Sequence, residues 1–230
     1  RTFRTYLATR YYTTKYGGRL ILPEGDDLLA VTSLKTDPDD DQDYDDTWLT
    51  SDYQLEPINA PSNRRPYSRI TKKSQGVQTF PTSNWGVELI GKYGFWEDLE
   101  TSPSTTAEVL DVTETGVDVT AGTDFDVLDT TLVDTEQMYV TAIATNTLTV
   151  IRGVNGTTAA THVTASVIQR YKYPGPVVEA CALQAARYFM RKNAPFGVLG
   201  SAEVGYVRLT SRLDPDVMAL LDPYRLAVVA

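Results

Sequence analysis

The opening stretch "RTFRTYLATRYYTTKYGGRLIL" sets aromatic and β-branched residues on both sides of Gly17-Gly18. That pattern predicts a β-hairpin with strands near Arg4–Thr13 and Arg19–Leu22. Leu28, Leu29, Val31 and Leu34 predict a buried strand, which runs into the acidic stretch Asp37–Asp46. Next comes "DYQLEPINAPSNRRPYSRI", whose prolines predict extended chain and loop, anchored by Tyr53, Leu55 and Ile58. "WGVELIGKYGF" predicts a further strand, with Val87, Leu89 and Ile90 apolar.

Between Leu99 and Gln169 the texture changes. Lysine vanishes, Pro103 is the only proline, and threonine and valine dominate. "EVLDVT", "FDVLDT", "EQMYVTAIA", "NTLTVIRG" and "TASVIQ" are short alternating runs spaced about ten residues apart, the mark of a small all-β module.

Helical periodicity follows. Val178, Cys181, Ala185 and Phe189 recur on one apolar face, with Gln184, Arg187 and Arg191 on a polar one. Pro176 suits a first helical turn, Arg191 and Lys192 complement the C-terminal dipole, and Pro195 lies beyond. This face predicts Cys181 as a buried thiol. A shorter helix is predicted after Asp214, a good N-cap, with Pro215 and Asp216 in its first turn and Pro223 ending it. The predicted class is α+β: β-hairpins, a long C-terminal helix and a short second helix, with an inserted all-β module. The predicted division is a core of residues 1–98 and 171–230 around an insert of 99–170.

Charge sharpens the insert. The chain has 30 acidic and 21 basic residues, a net charge of -9. Residues 97–170 hold 12 of the acids and 2 of the bases, so this segment carries essentially all the excess. Such a segment opposes binding of nucleic acid, which is driven by phosphate neutralisation. No stretch approaches the roughly 20 apolar residues of a membrane span.

Candidate chemistry is sparse. One cysteine and one histidine exclude a disulfide within the chain and a zinc cluster built from one subunit. "IRGVNGTTAATHV" carries the sole histidine, His162, but no helix signal and no Lys-Ser/Thr follow its glycines, so it is not a phosphate cradle. Gly153 and Gly156 fit a tight turn, and the sequence offers His162 no evident partner. Asp39, Asp41, Asp43 and Asp45 alternate as calcium ligands do. An EF-hand frame from Asp41, however, has Asp46 where the turn glycine belongs and Asp52 where a bidentate Glu belongs. A solvated hairpin tip is the plainer reading. The basic stretch with Arg64, Arg65, Arg69, Lys72 and Lys73 suits either nucleic acid or an acidic protein neighbour. Trp48, Trp85 and Trp96 suit core or interface anchors. No catalytic constellation, metal site or cofactor motif emerges, and the chain reads as a protein without enzymatic activity.

With the acidic segment removed, "WGVELIGKYGF", "YPGPVVEACALQAARYFMRKNAPFGVLG" and "EVGYVRLTSRLDPDVMALLDPYR" follow one another. This order, with "TRYYTTKYGGRLILPEGDDLLAVTSLKTD" and "DYQLEPINAP", resembles the head–tail connector (adaptor, or head-completion) proteins of long-tailed bacteriophages. The resemblance covers roughly residues 3–96 and 173–225. Relatives usually place helices ahead of the "RYY" strand, where this sequence has almost nothing, and most lack the insert. The insert resembles a small β module recurring in phage structural proteins.

The resemblance implies a virion protein at the head–tail interface, the neck, assembled in the host cytoplasm. It implies a homo-oligomeric ring, usually of twelve subunits, beneath the portal protein, extending the DNA channel and offering a surface to a stopper or tail completion protein. Genomic DNA would pass without sequence-specific binding, and no membrane is involved. In such a ring Arg187, Arg191 and Lys192 are candidates for ion pairs between subunits. Tyr224, Arg225 and Leu226 open a tail suited to docking. Asp39, Asp41, Asp43 and Asp45 suit a lumen or docking loop, and Arg64 and Arg65 a basic docking loop. The alternative is a peripheral tail-tip or decoration protein whose β module binds a host surface or another virion protein.

Overall fold

A computed structural model describes residues 2–191, 198–201, 205–208 and 213–225. The architecture is α+β, and the chain divides into two compact units, Arg1–Lys172 and Tyr173–Ala230. Residues 1–98 and 171–230 are expected to share a domain; by this division 171–172 group with 1–98 and 173–230 form the second unit.

The first unit is built from strands β1 (Tyr6–Tyr12), β2 (Arg19–Ile21), β3 (Leu28–Thr36), β4 (Asp46–Thr47), β5 (Tyr53–Glu56), β6 (Arg69–Lys72) and β7 (Val87–Tyr93). It continues with β8 (Leu99–Thr105), β9 (Gly116–Asp118), β10 (Thr130–Val133), β11 (Glu136–Ala144), β12 (Thr147–Ile151) and β13 (Val167–Tyr171).

β7 is the organising strand of the first half. Val87, Leu89, Gly91 and Tyr93 turn alternately inward, and the strand pairs antiparallel with β1 on one side and β3 on the other. The sheet order is β1-β7-β3-β4, with β2-β6-β5 as a second sheet. Leu20, Leu28, Leu34, Ile70 and Phe80 fill the core between them. Trp48 stacks on Phe80 at 4.3 Å, and its indole N–H donates to the Thr36 hydroxyl.

The hairpin expected around Gly17-Gly18 is corrected. β1 and β2 are strands, but β1 pairs with β7 and β2 with β6; the turn itself closes only the Tyr16–Arg19 bridge. The seven-residue register with β7 outcompetes the local turn. Ile58, expected as an anchor, is 68% exposed.

The six-stranded sheet β8-β13-β10-β11-β12-β9 occupies residues 99–171, close to the expected insert. It has its own core of Leu110, Phe125, Met138, Val140, Leu148 and Ile168. "EVLDVT" and "FDVLDT" are not strands: Leu110 makes a single bridge to His162, and Leu128 turns at φ 80°. A polar seam joins this core to the first. The Leu7 backbone amide donates to the Asn155 carbonyl, the Gln137 side-chain Nε2 to the Thr5 carbonyl, and the Thr5 and Tyr171 hydroxyls meet at 2.8 Å.

The second unit holds helix α1 (Gly175–Arg191), strands β14 (Val198–Ser201) and β15 (Gly205–Arg208) paired with each other, and helix α2 (Pro215–Leu221). Asp214 caps α2, accepting from the Asp216 amide at 3.2 Å. The two helices pack on each other, and the two strands pair with each other. The face that α1 covers is the reverse of the expected one. Val177, Ala180, Gln184 and Arg187 are its least exposed residues, while Val178, Cys181, Ala182, Ala185 and Phe189 are exposed. Arg187 pairs with the α2 cap, Asp214. Val217 is the buried residue of α2, and Asp214 supplies the acid that the polar face of α1 pairs with.

Candidate functional site

The acidic run is the tip of the β3–β4 hairpin, closed by the pairs Lys35–Thr47 and Thr36–Asp46. Asp37 is buried at its root and organises it. One carboxylate oxygen accepts from the Asp40 amide and the other from the Gln42 amide, both at 2.8 Å. Burial pushes the Asp37 carboxyl up, but these backbone donors outweigh it and hold it below the ordinary aspartate value. Asp39, by contrast, is raised, chiefly by the neighbouring Asp41 carboxylate. Carboxylate oxygens of Asp37, Asp39 and Asp41 lie within 4.8 Å of one another. The backbone bonds to Asp37 account for that closeness. Asp39, Asp41, Asp43 and Asp45 themselves are exposed.

Beside this tip lies an open groove of about 700 Å³, lined among others by Arg10, Tyr11, Asp26, Gln42, Tyr44 and Trp85. Its floor is fixed. The Arg10 guanidinium sits 4.5 Å from the Tyr93 ring centre, pairs with Asp26 and donates to the Tyr6 hydroxyl. Its wall is aromatic: the Tyr11 and Tyr44 rings meet at 5.5 Å. Trp85 is 59% exposed and holds φ at 59°. A bulky residue in this left-handed region is strained, and such strain persists only where neighbours fix it. The Trp85 amide donates to the Thr13 hydroxyl at 2.9 Å, and its carbonyl accepts from the Tyr44 hydroxyl at 2.8 Å. The tyrosine-rich "TRYYTT" stretch was the sequence signal for this groove, but only folding brings it to Tyr44 and Trp85.

The basic candidates separate. Pro57–Arg65 forms a compact turn, with the Ala60 amide bonded to the Pro57 carbonyl and the Arg65 amide to the Ala60 carbonyl. Arg64 is exposed on it at φ 50°, and Arg65 lies 5.1 Å from the Phe95 ring centre. Arg69 pairs with Glu56. Of the other candidates, Arg187 pairs within its own chain, Arg191 ends α1, and Tyr224 ends a short 3-10 turn. Arg225 pairs with Asp222 at 3.4 Å. Lys192 and Leu226 lie outside the described residues.

The stretch "IRGVNGTTAATHV" is a structural clasp. Glu136, buried at the start of β11, accepts from Arg152 Nε at 2.6 Å and Nη2 at 2.7 Å, and from the Gly153 and Ala160 amides. His162, given no partner by the sequence, lies 2.9 Å from Glu136 and 2.8 Å from Asp134. Arg152 also donates to the carbonyls of Asp111, Glu114 and Ala160. Burial would raise Glu136, but the Arg152, Ala160 and His162 donors prevail and hold it at about 2. These bonds close the loop. Two bases among twelve acids was the available signal: Arg152 is one of them.

No protein-family model, curated protein or solved structure matches this chain.

Proposed function

We propose that this chain is a head–tail adaptor: a structural virion protein that binds beneath the portal as a ring, extends the DNA channel and presents a docking surface to stopper or tail proteins. One observation carries the reading beyond the sequence resemblance. The outward face of α1 holds Val178, Cys181, Ala182, Ala185 and Phe189, the last 71% exposed, and no charged residue. A contiguous apolar face of this kind marks an interaction surface rather than a solvated one. Its three small side chains allow another protein to approach the helix closely. Assembly into a ring would cover it.

The experiment is native mass measurement and negative-stain imaging of the purified chain, alone and with portal. A ring seated on the portal supports the adaptor. A trimer at a fibre or tail tip supports a peripheral virion protein instead, and a monomer indifferent to portal contradicts both.

A further inference from the structure

We propose that the open groove at Trp85 receives the Pro57–Arg65 turn of a second copy of this chain. The inference rests on the ring reading and deepens it, naming the two surfaces that join neighbours.

The groove exposes Tyr11 and Trp85 to solvent beside the half-buried Tyr44, and holds Trp85 in a strained backbone conformation by two side-chain hydrogen bonds. Rigid, exposed aromatic rings are the usual anchors of protein interfaces. The same hairpin tip that supplies Gln42 and Tyr44 to the lining carries Asp39, Asp41, Asp43 and Asp45. The occupant is therefore convex, partly apolar and cationic, and the acidic rim repels nucleic acid.

The chain carries such a feature. The Pro57–Arg65 turn is closed by its own backbone bonds and exposes Ile58, Arg64 and Arg65. Ile58 suits the aromatic wall, and Arg64 suits both the ring faces and the carboxylate rim. Groove and turn are different patches of one surface. Their pairing is heterologous, head to tail, and generates a ring when the rotation closes.

The test uses the full chain in sedimentation velocity, with circular dichroism to verify folding. One variant carries Asp41→Lys and Asp43→Lys; the other carries Arg64→Glu and Arg65→Glu. Each alone should associate about tenfold more weakly than wild type, or worse. Their mixture should recover association, because each now complements the other at both patches. Trp85→Ala should weaken association without salt dependence of its own, and serves if a charge variant misfolds. Wild-type-like association of both charge variants, or failure of the folded mixture to recover it, overturns the pairing. Rings that still seat on portal in both variants overturn this pairing and leave the adaptor reading intact. Wild-type chains that stay monomeric in solution overturn the pairing, and only chains that also form no ring on portal overturn the adaptor reading.

Discussion

Arg152 and Glu136 form a bidentate ion pair in the interior of the six-stranded sheet, with N–O distances of 2.6 and 2.7 Å. The arginine side chain is 6% exposed and the glutamate not at all. Removing one partner of a buried pair strands the other, so Glu136→Gln or Arg152→Ala should destabilise the chain by about 3–5 kcal/mol. Urea denaturation followed by tryptophan fluorescence and circular dichroism checks this. A loss under about 1 kcal/mol, the range of exposed pairs, would mean that the clasp is not structural.

The same carboxylate predicts an acid limb. Glu136 is held at about 2 against an ordinary value of 4.5. A depressed folded value means the unfolded chain binds more protons between those limits. The stabilisation is thus fully present above pH 4.5 and fades as the pH falls towards 2, an effect of about 3 kcal/mol. Midpoints of thermal unfolding from pH 6 to 2 should fall steeply in wild type and less in Glu136→Gln.

Gly156 ties the two cores of the first unit together. It stands at φ 79°, and a Cβ there would meet the Leu7 carbonyl oxygen at 2.3 Å. Gly156→Ala should displace β1 from the loop, break the Leu7–Asn155 bond and destabilise by about 1–3 kcal/mol. Faster hydrogen exchange at the Leu7 amide is the specific readout.

Cys181 lies on the exposed apolar face of α1. In dilute monomer it should react with a maleimide as readily as an exposed thiol, and in assembled rings it should be protected. Equal reactivity in both states would place the α1 face outside the assembly.

The sequence showed some of this and hid the rest for identifiable reasons. β3, β7, β11 and β12 were legible because their apolar runs are dense. β8, "LETSPST", and β9, "GVD", were not, because serine, proline and glycine are poor strand formers. Pairing was illegible where partners are distant, as with β1 and β7. Periodicity located the apolar face of α1 but not whether its own chain covers it, so Cys181 was expected inside. Glu136 and His162 escaped notice because charged and polar residues read as surface until folding supplies their partners. The acidic tip was legible as a solvated hairpin, whereas the groove beside it needs four separate segments.

The most direct test of the adaptor reading is negative-stain imaging, with native mass, of the wild-type chain mixed with portal. The account predicts a closed ring coaxial with the portal. A chain that stays monomeric beside intact portals, or that forms trimers without binding them, would contradict it.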